Sequence, residues 1–282
     1  MTDSLLAFQG VPGAYSHLAC VARFPEMQTL PCHSFEDAFE AVRSRQAKLS
    51  MIPIENSLGG RVADIHQLLP GSGLYIIDEH FQPVHHCLLA PHGASIDSLK
   101  RVLSHPQALA QCREQLRVLG VEPVDHSDTA GAAQEAAARQ DSETGAIASK
   151  LAGETYGLNI LRERIEDRLG NTTRFVVMSR DRIDPESGTD SMISFIFQTR
   201  SQPAALYKAL GGFATNGVNI TKLESYHVDA SFTVAQFYAE VEGHPADKAV
   251  DRAIEELQYF SEKVRILGVY PKNDFRAAFD SA

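Results

Sequence analysis

Short apolar runs alternate with stretches of helical spacing along the first 180 positions. Leu5-Leu6-Ala7-Phe8 has the composition of a short buried strand. Gly10-Val11-Pro12-Gly13 turns it into a helix starting near Ala14, with Leu18, Val21 and Ala22 on one face. Ser34-Phe35-Glu36-Asp37 has capping-box spacing for a helix running to about Arg45. Residues 49–54 follow as a strand whose Pro53 suits an edge or a strand end, and a helix over 62–69 closes this part. Residues 74–81 and 84–90 read as strands parted only by Gln82-Pro83. Residues 102–104 form a strand, Pro106 opens a helix, and 121–124 form another strand. Asp128 caps a helix from near Thr129 to about Ala138. Residues 145–148 are a strand, Ser149 caps the next helix, and 159–161 and 175–178 are strands. This alternation predicts an α/β fold with a mostly parallel sheet.

Residues 181–190 are polar, with Pro185 and Gly188, the composition of a linker. Beyond them the pattern gives a strand over 192–198 and a helix from Gln202-Pro203. Leu206, Ala209, Leu210 and Phe213 form that helix's apolar face, and Asn216-Gly217 ends it. Strands over 218–224 and 232–241 flank a turn near Asp229-Ala230. Pro245 opens a helix with Val250, Ile254, Leu257 and Phe260 inward, and residues 264–269 are the last strand. The order βαββαβ is the split β-α-β, ferredoxin-like arrangement. A unit of about 80 residues with an open sheet face gains by pairing with a copy of itself. Residues 274–282 read as a loose tail.

At 282 residues the chain is long enough for two domains. A charged fraction of 22% beside a hydrophobic one of 44% fits a soluble globular protein. The net charge of -10 argues against a nucleic-acid partner, which calls for a basic face. It also opposes an anionic substrate, so donors within a Debye length of about 8 Å must outweigh the field of the whole molecule. Met1-Thr2-Asp3-Ser4 is no basic leader, and no apolar run is long enough for a bilayer span, so no membrane partner is expected. Cys20, Cys32, Cys87 and Cys112 are scattered without a C-x-x-C pair, which points to reduced thiols and a cytoplasmic location. Cys20, Cys87 and Cys112 sit in apolar patterns as buried filler.

Polar clusters punctuate this framework. Asn171-Thr172-Thr173-Arg174 packs an amide, two hydroxyls and a guanidinium at the entrance of an apolar strand. Such groups converge on a ligand by hydrogen bonds, and arginine clamps a carboxylate with two of them; the plain alternative is a turn with a solvated arginine. Glu55-Asn56-Ser57 follows a strand, at the end where open α/β sheets bind ligands, and Gly59-Gly60 lets backbone approach closely. Gln107 and Gln111 share a helix face near its start, as ligand donors or as ordinary surface. The strand, glycine turn and helix start ending at Ser16 make an anion site, or the glycines serve only the turn. The G-x-G-x-x-G spacing of a dinucleotide site is missing. His80, His85, His86 and Cys87 suggest a metal, but alternation puts His86 opposite His85 and Cys87, and structural histidines are the reading adopted.

In order along the chain, Gly10-Val11-Pro12-Gly13-Ala14-Tyr15-Ser16-His17, Pro53-Ile54-Glu55-Asn56-Ser57, His86-Cys87-Leu88-Leu89, Ser104-His105-Pro106-Gln107, Asp128-Thr129-Ala130-Gly131-Ala132-Ala133 and Asn171-Thr172-Thr173-Arg174-Phe175 resemble prephenate dehydratase. Asn219-Ile220-Thr221-Lys222-Leu223-Glu224-Ser225 and Leu267-Gly268-Val269-Tyr270-Pro271 resemble its ACT regulatory domain. The resemblance covers nearly the whole chain. It implies a two-lobed catalytic domain like a type-II periplasmic binding protein over 1–180, with lobe one near 1–80 and 160–180 and lobe two near 81–159. It further implies a linker at 181–190, an ACT domain at 191–271 and a tail at 272–282.

The implied reaction converts prephenate to phenylpyruvate, water and carbon dioxide, with no cofactor and no metal, because the ring's aromatisation drives it. Thr173 corresponds to the residue most closely tied to catalysis, with Glu55 and Asn56 beside it. Either Thr173 delivers the proton itself, or it holds the leaving hydroxyl for Glu55. Ser16, Ser57, Gln107, Gln111, Thr129, Thr172 and Arg174 would bind substrate, Arg174 as the carboxylate clamp. Ala205, Leu206, Asn216, Asn219, Leu223, Glu224 and Ser225 would form an L-phenylalanine effector site in a homodimer or homotetramer joined through the ACT domain. The usual Gly-Ala-Leu turn reads Pro203-Ala204-Ala205-Leu206 here, and the usual Glu-Ser-Arg-Pro reads Glu224-Ser225-Tyr226-His227. The rival readings are arogenate as substrate, giving phenylalanine directly, and a small-molecule sensor without catalysis.

Overall fold

The computed structural model describes residues 4–200, 202–227 and 235–277. In chain order it runs β1 (Leu5–Gln9), α1 (Tyr15–Arg23), β2 (Gln28–Cys32), α2 (Phe35–Arg43), β3 (Leu49–Asn56), β4 (Gly60–Arg61), α3 (Ala63–Leu68) and β5 (Tyr75–Pro83). Next come β6 (Cys87–Ala90), β7 (Arg101–Ser104), α4 (Pro106–Gln111), α5 (Arg113–Leu119), β8 (Glu122–Asp125), α6 (Thr129–Arg139), β9 (Thr144–Ala148), α7 (Lys150–Tyr156), β10 (Asn159–Arg162) and β11 (Thr172–Ser179). Then follow β12 (Ser191–Thr199), α8 (Ala205–Thr215), β13 (Ile220–His227), β14 (Ala235–Glu242), α9 (Lys248–Phe260), β15 (Ser261–Pro271) and α10 (Asp274–Ala277). The predicted caps set three helix starts. Ser34 Oγ accepts from the Asp37 N–H while the Asp37 carboxylate accepts from the Ser34 N–H. Asp128 accepts from the Gly131 N–H at 2.6 Å, and Ser149 accepts from the Ala152 N–H at 3.0 Å.

Two compact units result, and the division falls inside β5, after Glu79, and inside β11, after Phe175. In the first unit β1 pairs in parallel with both β2 and β3, and β11 flanks β3 on its other side. The hairpin strand β4 folds back on Glu55 and Asn56. A second sheet in the same unit has the order β10-β6-β9-β7-β8. Ala130, Ala133 and Ala136 of α6 pack on one of its faces, and Leu109 and Leu116 of α4 and α5 on the other. The alanines carry no side chain beyond Cβ, so α6 lies close to the strands. The two sheets meet at the β1–α1 turn. Ser149 Oγ donates to the Gly13 carbonyl at 2.6 Å and Tyr156 to the Pro12 carbonyl at 2.8 Å. A Cβ on Gly13 would lie 2.7 Å from the Ala152 Cα, and the φ of +89° at Gly13 suits only glycine.

The second unit, residues 63–79 and 176–277 as described, contains the predicted βαββαβ order as β12-α8-β13-β14-α9-β15. Its sheet runs β13-β14-β12-β15 with antiparallel neighbours, and Gly268 of β15 pairs with Ile76 of β5. Phe195, Phe197, Phe213 and Leu257 fill the space beneath the two helices. Among the described residues no helix is long and apolar enough to cross a membrane.

Several expectations are corrected. The sheets are mixed rather than mostly parallel, since β6 runs antiparallel to both β9 and β10. The buried residues of α1 are Ala19 and Cys20, and Val21 is exposed. The strand β2 and the helix α5 are absent from the sequence pattern; β2 buries none of its five residues fully and carries an exposed Pro31. Pro53 lies in an inner strand, but beyond the β1 register, which ends at Met51. Residues 84–86 are not strand, so the alternation argument for His85 and His86 does not apply. The turn near Asp229-Ala230 lies outside the described residues. Residues 274–277 are no loose tail: Arg276 clamps the buried Glu79 through two bonds of 2.7 and 2.8 Å and reaches buried Glu240 at 3.3 Å.

Candidate active site

A cavity of about 730 Å³ in the first unit draws its lining from both sheets. Its wall includes Ser16, Asn56, Gln107, Gln111, Thr129 and Thr173, six of the residues singled out in the sequence. The starts of α1 and α6 face it with Tyr15, Ser16 and Thr129. The amide N–H groups of a helix's first turn lack intrahelical partners, so the start of α1, which has no side-chain cap, favours an anion, whereas the Asp128 carboxylate already occupies the start of α6. Among the described lining residues there is no lysine or arginine.

Strand periodicity sorts the polar cluster on β11. Asn171 and Thr173, two apart, both line the cavity, whereas Thr172 and Arg174 do not. Arg174 is buried and pairs with Glu55 at 2.9 Å, with the Phe81 ring 5.9 Å from its guanidinium carbon. Glu55, one residue from Asn56 on β3, likewise falls outside the lining. Ser57 Oγ accepts from the Thr172 N–H at 2.9 Å and donates to the Gly170 carbonyl, so it ties the 170–172 segment to the end of β3. Of the ten residues expected to act on or bind substrate, the structure brings six to the cavity, while Glu55, Ser57, Thr172 and Arg174 fall outside its lining.

A polar chain runs through the lining. Asn56 Nδ2 donates to Asn171 Oδ1 at 2.7 Å and to Thr173 Oγ1 at 2.9 Å. Asn171 Nδ2 donates to Gln111 Oε1 at 2.9 Å, and that oxygen lies 2.9 Å from His86 Nε2. His86 Nδ1 is 2.8 Å from the Tyr15 hydroxyl. Burial lowers the His86 pKa, opposed by the Gln111 hydrogen bond and the Glu166 charge. Burial raises the Tyr15 pKa well above its usual value, helped by Cys87, Cys112 and Glu166. Burial raises the Glu166 pKa, but hydrogen bonds from His85 and backbone N–H groups outweigh it and hold the carboxyl low. Asn171 was singled out as the amide of the polar cluster, but Tyr15 and His86 were given no site role from the sequence. Their signal was there, since both stand inside the stretches that carry the resemblance, but a histidine in an apolar run reads as core.

In the second unit, Ala205 and Leu206 line a recess of about 540 Å³ at the start of α8. Asn216 instead donates to the Gly212 carbonyl and to Glu256, and Asn219 to Glu242. Leu223, Glu224 and Ser225 lie along β13, where Glu224 is 3.7 Å from Lys222. These five do not line the recess. Ala204, at the N-cap of α8, has a φ of +61°.

Residues 6–183 match the family model described as Prephenate dehydratase. The bifunctional N-acyl-homoserine lactone acylase/prephenate dehydratase of Komagataeibacter europaeus is 49% identical over 97% of this chain and 98% of that protein. Arogenate dehydratase/prephenate dehydratase 1, chloroplastic, of Arabidopsis thaliana is 39% identical over 94% of this chain and 71% of that protein. The crystal structure of prephenate dehydratase in complex with L-Phe from Arthrobacter aurescens superposes with a TM-score of 0.87 at 30% identity, covering 98% of this chain and 96% of that one.

Proposed function

The chain belongs to the prephenate dehydratase family, and we propose that its cavity converts prephenate to phenylpyruvate. The observation that carries the reading is the convergence of Asn56, Gln107, Gln111, Thr129 and Thr173 on one cavity beside two helix starts. In the reaction the ring's carboxylate leaves as carbon dioxide, and the electron pair of that C–C bond enters the ring. The C–O bond opposite breaks, and a proton joins the departing hydroxide to give water. Thr173 donates a hydrogen bond to that hydroxyl, and Asn56 holds the Thr173 oxygen. Glu55 is engaged by Arg174, which favours its anionic form, so Thr173 is the better candidate for direct contact. Arg174 acts by holding Glu55 and β3, and the carboxylates of the substrate are received by the start of α1 with Ser16, Gln107 and Thr129.

The test is the disappearance of prephenate with formation of phenylpyruvate by purified protein. Arogenate assayed beside it measures the keto or amino preference, a reading favoured by the plant relatives. Turnover of neither substrate refutes both. The second unit is proposed as an ACT regulatory domain that binds L-phenylalanine, supported by its βαββαβ order and by the L-Phe-bound relative. Calorimetry on active protein that detects no phenylalanine binding at millimolar concentration removes that part.

A further inference from the structure

We propose that His86, as the tautomer with its hydrogen on Nε2, is a positioning residue that pins Gln111 so that the Gln111 amide N–H groups face the cavity as donors, beside the Thr173 hydroxyl that Asn56 orients. The inference rests on the dehydratase reading of the same site for its effect on turnover, but the tautomer itself follows from geometry alone.

Amide orientation is ambiguous in isolation, because the oxygen and nitrogen of a side-chain amide look alike. Here two backbone groups remove the ambiguity. Asn56 Oδ1 lies 3.0 Å from the Leu58 N and 2.7 Å from the Gly59 N. A backbone N–H only donates, so the atom facing both is the carbonyl oxygen. The other Asn56 atom is therefore the NH2 group, which donates to Asn171 Oδ1 and to Thr173 Oγ1. Asn171 then has its NH2 group toward Gln111, whose facing atom must be the oxygen. That oxygen is also 2.9 Å from His86 Nε2, so Nε2 must carry a hydrogen. Each assignment forces the next, from the turn after β3 to the imidazole.

Two consequences follow for the cavity. The Thr173 oxygen accepts from Asn56, so its own hydrogen is left for a ligand. The Gln111 oxygen accepts from two donors, so its NH2 group is left as well. The far side of His86 accommodates either charge state. The Tyr15 hydroxyl is 2.8 Å from both His86 Nδ1 and the His85 carbonyl. When His86 is neutral, the Tyr15 hydrogen goes to Nδ1. When His86 is protonated, Nδ1–H donates to the Tyr15 oxygen, and the Tyr15 hydrogen turns to the His85 carbonyl. In both states Nε2–H donates to Gln111. The titratable groups facing this pair are Tyr15 from α1, Cys112 after α4, Cys87 from β6, His85, and Glu166. The Glu166 carboxylate accepts from the His86 backbone N–H at 3.0 Å and lies 2.9 Å from His85 Nδ1.

The tautomer is read directly by nitrogen-15 NMR of histidine-labelled protein. We expect the neutral His86 to carry its hydrogen on Nε2; a neutral Nδ1–H form overturns the proposal whatever the enzyme's substrate. Turnover is then compared across variants at the same cavity. His86→Leu removes the donor, and a misplaced amide costs kcat about 10²-fold. His86→Gln offers an amide N–H to the same oxygen and is expected to recover about tenfold of that loss. Recovery by His86→Gln supports the donor role. Equal loss in the two variants overturns it, as does wild-type turnover in folded His86→Leu. If wild-type protein turns over neither prephenate nor arogenate, the dehydratase reading fails while the NMR result still decides the tautomer.

Discussion

Replacing Asn56 by aspartate changes one NH2 group into an oxygen and almost nothing in shape. The retained oxygen still accepts from the Leu58 and Gly59 N–H groups. The bonds donated to Asn171 and Thr173 are lost, each worth about 1 kcal/mol, and a bond donated back by Thr173 offsets the second, so the variant should unfold about 1 kcal/mol more easily. For a chain of this size each kcal/mol lowers Tm by about 2–4 °C. The larger effect is directional. The Thr173 hydrogen, freed of its partner's constraint, turns to the new carboxylate and makes a charge-assisted bond. A hydrogen donated there is withdrawn from the leaving hydroxyl. Removing one such donor from a site where charge develops costs about 10²–10³ in kcat. Asn56→Ala leaves the Thr173 hydroxyl unheld but still able to donate, so it should lose less. Steady-state kinetics on both variants, with circular dichroism to confirm folding, gives the comparison. If Asn56→Asp keeps a kcat equal to or above that of Asn56→Ala, the polarity assigned to Thr173 is wrong.

Three further outcomes are expected. Arg276→Met leaves buried Glu79 and Glu240 without their shared cation and should destabilise the protein by about 3 kcal/mol in urea unfolding; adding Glu79→Gln should restore part of that, and no restoration would rule out charge as the cause. Ala204→Gly relieves a left-handed alanine and should raise the unfolding free energy by about 1 kcal/mol, so a lower midpoint counts against strain at that cap. Burial lowers the pKa of His17, and its Nδ1 accepts from the Gly13 N–H, a bond that needs the neutral ring. A depressed histidine pKa means that the unfolded chain binds more protons. Stability should therefore fall as pH drops below the ordinary histidine value of about 6.5 and reach its full loss below the lower folded value. His17→Gln should flatten that slope, and an unchanged slope assigns the effect elsewhere.

Local chemistry made much of this readable in advance. Ser34, Asp128 and Ser149 cap helices because their side chains satisfy nearby N–H groups, which needs no tertiary information. The βαββαβ order likewise follows from periodicity. The side on which a residue faces was harder. Arg174 and Thr173 are neighbours, and only the register of β11 beside β3 decides which one reaches the cavity. Glu55 and Asn56 divide in the same way. His86 sits in an apolar run, and nothing local says that Tyr15, some seventy positions earlier, lies against it. Arg276 was read as tail because its two carboxylate partners come from β5 and β14, far away in the chain.

The turn at Gly13 has a consequence for how this sequence can vary. The missing side chain at position 13 and the smallest one at position 152 border the same volume, one from the turn after β1 and the other from α7. Neither position can drift alone. A larger residue at 152 would press on the turn that leads into α1 and Ser16, and any side chain at 13 would press on the helix capped by Ser149. A saturation library should therefore find both positions nearly invariant, with intolerance that no single-site change at the partner relieves, because glycine offers nothing smaller to give way. Descendants of this chain are free to reshape the cavity from its other walls, but the seam beside the β1–α1 turn must be inherited as a pair.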